Sequence, residues 1–100
     1  MSQHQQREYL AECFWPGVTE QDLHLLDERA AASAAELSQD GQVRYLGSLL
    51  MREDEVVLCR FAGAEELVRR AAERAAIPFE RILETAVSPW NADSRQTASE

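Results

Sequence analysis

No apolar run in this chain approaches the ~18 residues that a membrane span requires, and the opening "MSQHQQRE" is polar, without the hydrophobic core of a signal peptide. Both absences point to the cytoplasm. Catalytic signatures are missing as well: there is no GxGxxG, P-loop, GxSxG or HExxH. With only two histidines, His4 and His24, a Ser-His-Asp or Cys-His arrangement has few ways to form. Basic side chains are outnumbered ten to eighteen by acidic ones, and the resulting net charge of −8 repels phosphate backbones, which argues against a nucleic-acid partner. The charge keeps the domain soluble. Cysteine is scarce too. Cys13 and Cys59 lie inside apolar runs, away from any CxxC spacing, as suits buried reduced thiols better than a disulfide framework.

What is present is enough for one globular core. Of 100 residues, 45% are hydrophobic and 28% charged, and a chain of this size buries roughly 60 to 70% of its unfolded surface. Polar, aperiodic segments at 1–6 and 89–100 read as flexible tails around a single domain at 7–88. Within it, "EYLAECFW" reads as a strand stopped by Pro16-Gly17. Thr19 with Asp22 forms a capping-box variant that opens a helix running to about Gln39. Its apolar stripe is Leu23, Leu26, Ala30, Ala34 and Leu37, and Gly41 is expected to end it as a left-handed cap.

The stretch "YLGSLLMREDEVVLCRF" at 45–61 is two strands about a charged turn. With Glu53 and Asp54 at the tip, Met51 faces Val56, Leu49 faces Leu58, and Gly47 faces Arg60. A second helix from about Ala64 to Ala76 buries Leu67, Val68, Ala71, Ala72 and Ala75, and after Pro78 "FERILETAV" reads as the last strand. The order strand, helix, strand, strand, helix, strand predicts a ferredoxin-like βαββαβ domain of the α+β class. Its four-stranded antiparallel sheet, ordered four, one, three, two, carries both helices on one face.

Neither hairpin strand alternates cleanly between apolar and polar, so something must cover the second face. Counting out from the turn, Val57, Cys59 and Phe61 go under the helices with Leu46, Ser48 and Leu50. Tyr45, Gly47, Leu49, Met51, Val56, Leu58 and Arg60 go to the open face. In the first strand Leu10, Glu12 and Phe14 join them. A monomer does not leave Leu10, Phe14, Leu49, Met51, Val56 and Leu58 bare, so these are the expected interface of a homodimer whose two sheets close into an α+β barrel.

"EYLAE", "VRYLGSLLMREDEVVLCRF" and "ELVRRAAERAAIPFERILE" resemble a family of small ferredoxin-like domains of unknown function, some of whose members are labelled nickel-binding. The likeness covers about residues 8–87, and what it implies is the fold and a dimeric barrel; nickel as a cofactor rests on this resemblance only. A nickel site needs several imidazoles, thiolates or carboxylates converging on one point. The chain offers His4 in a terminal segment, His24 near Asp27 and Glu28, and Cys59 with no histidine at usable spacing, so no metal ligands are assigned.

Polar groups on the covered face are the better lead. Glu12, Tyr45 and Arg60 are expected to line a pocket as carboxylate, phenol and cation, with Glu12 and Arg60 meeting across adjacent strands. Trp15 and Trp90 flank the body, each placed to seal an edge of the core or the dimer seam. The expected function is a non-catalytic homodimeric barrel that binds a small ligand beneath the open face. The alternative is a small dimeric-barrel enzyme, a cyclase, isomerase or cofactor-free oxygenase, with Glu12 as general base. A third reading is an assembly module alone.

Overall fold

A computed structural model describes residues 7–86 together with Ser88 and Trp90. The expected tails therefore lie outside the described residues, Trp90 excepted. The elements are β1 (Glu8–Phe14), α1 (Glu20–Leu37), β2 (Val43–Met51), β3 (Val56–Gly63), α2 (Glu65–Arg74) and β4 (Arg81–Thr85). They form one four-stranded antiparallel sheet in the order β2-β3-β1-β4 with two helices, the ferredoxin-like α+β arrangement. No helix among the described residues is long and apolar enough to cross a membrane.

Local chemistry sets the boundaries. After β1 the chain is tied back to the hairpin, where Trp15 N donates to the Glu55 carbonyl at 2.8 Å. The Thr19 hydroxyl accepts from Asp22 N at 3.0 Å while the Asp22 carboxylate accepts from Thr19 N at 2.9 Å, a full capping box at the start of α1. The other end departs from expectation. α1 finishes at Leu37, capped by Ser38 N on the Ala34 carbonyl, and Gly41 is not in the left-handed region. Gly41 serves close approach instead, since a Cβ there would sit 2.6 Å from Leu67 Cδ1. On α2, Glu65 and Glu66 in the first turn and Arg74 in the last complement the helix dipole. Its end is a Schellman-type turn, with Ile77 N on the Ala72 carbonyl, Ala76 N on the Glu73 carbonyl, and Ala76 at φ 59.

The core lies between sheet and helices. Ala11, Cys13, Val57, Cys59 and Phe61 point inward from the two central strands and meet Leu26, Ala30, Leu37, Val68, Ala71 and Ala72. Leu23 and Leu67 only flank it. Small residues let the helices approach each other, and Ser33, outside the expected stripe, faces α2 and donates its hydroxyl to the Ala71 carbonyl at 2.8 Å. Two edges bound the sheet: β2, interrupted by an irregularity between Tyr45 and Gly47, and β4, of five residues.

Candidate functional site

The face of the sheet away from the helices is built from rows of side chains in register across the strands. One row runs Leu83, Leu10, Arg60, Gly47; the next runs Arg81, Glu12, Leu58, Leu49; the third runs Phe14, Val56, Met51. The hairpin pairs expected from the turn, Met51 with Val56, Leu49 with Leu58 and Gly47 with Arg60, are all present. Phe14, Leu49 and Met51 remain 55%, 52% and 45% exposed, while Leu10, Val56, Leu58 and Leu83 are half-buried. This is a contiguous apolar strip with no helix over it.

Tyr45 is not part of it. Between Tyr45 and Gly47 the register of β2 on β3 shifts by one residue, so Tyr45 pairs with Phe61 and turns to the helical side. There its ring meets Phe61 edge-on at 5.0 Å and its hydroxyl donates to the Asp27 carboxylate of α1. Burial, and then that hydrogen bond, push the phenol far above its ordinary value. Tyr45 borders a groove of about 340 Å³ between α1 and β2, lined also by Ala31, Ala35 and Val43. The expected grouping of Tyr45 with Glu12 and Arg60 is therefore corrected.

Glu12 and Arg60 share the open face but not a bond. The Glu12 carboxylate accepts from Arg81 of β4, its neighbour in the same row, and this partner raises the Arg81 pKa. Arg60 lies one row away, with Glu8 at 4.0 Å. The expected Glu12–Arg60 pair is replaced by Glu12–Arg81 because β4 sits on the far side of β1 and brings a closer guanidinium. One oxygen of the Glu12 carboxylate is thus engaged by Arg81. Leu83 and Arg81 were missed from the sequence, although "RILET" alternates, with Ile82 packing on the core.

Cys13 and Cys59 are free and buried, side by side beneath the helices. The neighbouring Cys13 thiol, and then burial, push the Cys59 thiol far up, while the same contact draws the Cys13 thiol down. His24 meets Glu28 one turn on at 3.0 Å, on the exposed side of α1; His4 lies outside the described residues. Among the described residues, no three or more His, Cys, Asp and Glu side chains come together as a metal site. The described residues thus offer a nickel ion no converging set of donors.

No protein-family model matches the chain, and no curated protein matches it. Among solved structures, the crystal structure of SCO4226 from Streptomyces coelicolor A3(2) is similar to this chain with a TM-score of 0.60 and 21% identity, over 82% of this chain and 99% of that one. At that identity the likeness establishes the fold.

Proposed function

We infer that the chain is a homodimeric, non-catalytic barrel that binds a small organic molecule between two open sheet faces. The observation that supports this is the strip of Leu10, Phe14, Leu49, Met51, Val56 and Leu58, extended by Leu83, on a sheet face that neither helix covers. Removing about 500 Å² of such surface from water contributes on the order of 12 kcal/mol before the costs of association. Pairing like faces about a twofold axis satisfies both copies with one contact. The polar groups interrupting the strip, Glu12 with Arg81 and Arg60 beside Glu8, then line the space between the sheets.

Size-exclusion chromatography with light scattering tests the assembly: the expected mass is twice the chain's 11.3 kDa, and a stable monomer refutes it. Native mass spectrometry of protein purified from its own source tests the cargo, which appears as an added organic mass on the dimer. A crystal structure with less than about 100 Å³ between the sheets would leave room for dimerisation only.

A further inference from the structure

The geometry points to Arg60 as the anchor for a carboxylate, so that the molecule held between the sheets is a small amphipathic acid with its hydrocarbon body on Leu10, Leu49 and Leu58. This rests on the dimeric reading above and names the ligand class for that site. Three observations carry it.

First, Arg60 sits in the apolar strip, paired only loosely with Glu8 among the described residues. Its side chain is 39% exposed, the Glu8 carboxylate approaches to 4.0 Å, beyond hydrogen-bond reach, and it donates no hydrogen bond to any described residue. Arg81, the other cation of these rows, already has Glu12. Second, the space next to Arg60 is open. Its register partner Gly47 lies at φ 118, a conformation that L side chains rarely adopt, and a Cβ built there would meet nothing within 4 Å. The irregularity in β2 thus fixes a notch beside the guanidinium. Third, leucines surround that notch: Leu10 pairs with Arg60 across β1, and Leu58 and Leu49 form the adjoining row.

A guanidinium carries five N–H donors and no acceptor, and enclosing it without a partner is strongly unfavourable. When the faces close a carboxylate has to reach it: Glu8 stands 4.0 Å off, and the ligand's carboxylate takes the nearer place. A planar carboxylate accepts two parallel bonds from the guanidinium fork, and the notch over Gly47 leaves room for it. A chain of a few methylenes then continues over the leucine row.

The test uses octanoate and octan-1-ol as probes, titrated calorimetrically against the full-length protein, with light scattering on the same samples. Octanoate is expected to bind at least about tenfold tighter than the alcohol, Arg60→Gln to erase that preference at unchanged dimer mass, and Arg60→Lys to retain part of it. Circular dichroism confirms that each variant is folded, and Arg60→Lys decides the matter should Arg60→Gln fail to fold. A dimer that binds both probes equally, binds neither, or keeps its preference in Arg60→Gln overturns the assignment of Arg60 and leaves the dimeric reading standing. A monomeric wild-type protein overturns that reading, and the assignment with it. Should Glu8 close on Arg60 within the dimer, Arg60→Gln would weaken the dimer and octanoate would not bind, which also overturns it.

Discussion

Replacing Leu49 tests the open face most directly. Full burial of a leucine side chain is worth about 1.5–3 kcal/mol. Leu49 is 52% exposed in the single chain, so roughly half of that, about 1 kcal/mol, remains to be gained when a second sheet covers it. Twofold symmetry counts the residue twice, so Leu49→Ala is expected to weaken the dimer by about 2 kcal/mol, or about 30-fold in Kd. Leu49→Asp adds the desolvation of two carboxylates to that loss, in a protein already at −8, and is expected to be monomeric at micromolar concentration. Sedimentation equilibrium over a hundredfold concentration range reads both variants. Leu25, 44% exposed on α1, is the control, since Leu25→Asp adds the same charge away from the open face and should leave the mass unchanged. Leu49→Asp holding the wild-type dimer constant, or Leu25→Asp dissociating as readily, would refute the assignment of the interface.

Tyr45→Phe removes the partner of the half-buried Asp27 and is expected to cost roughly 1–2 kcal/mol in urea denaturation, with little further loss when Asp27→Asn is added. Tyr9 and Tyr45 are both raised above an ordinary value of 10.0, each mainly by burial, so the folded chain keeps protons that the unfolded chain gives up. Stability is then fully present below pH 10 and lost as the pH climbs beyond it; the urea midpoint should fall from pH 9 to pH 11, and less steeply in Tyr45→Phe. Ala76→Gly relieves a left-handed alanine at the end of α2 and should raise stability by about 0.5–1 kcal/mol, whereas Gly47→Ala should lower it by about 1–3 kcal/mol; thermal melts of the two variants must move in opposite directions.

The element order, the helix faces and the hairpin register were legible because each is set locally. A capping box, a three-and-four spacing of Leu and Ala, and a charged turn tip leave little choice of where a helix starts or which residues face each other across a turn. Tyr45 was misplaced for an equally local reason. Counting back from the turn assumes an unbroken period of two, and the extra residue at the irregularity turns everything beyond Gly47 over. A glycine in mid-strand was the available sign. The Glu12–Arg81 pair was out of reach because it depends on how β4 slides along β1, and those strands are joined through the whole domain rather than by a turn.

The two margins of the sheet bear on how association ends. A long, straight outer strand can recruit further strands sideways without limit, which is how fibrils grow. Here one rim is kinked at Gly47 and the other is five residues long, so neither offers a regular template for polymerisation. In the dimer proposed above, adhesion runs through the broad side of the sheet, where a single mate would use up all the sticky surface, and such an assembly would be self-limiting at two.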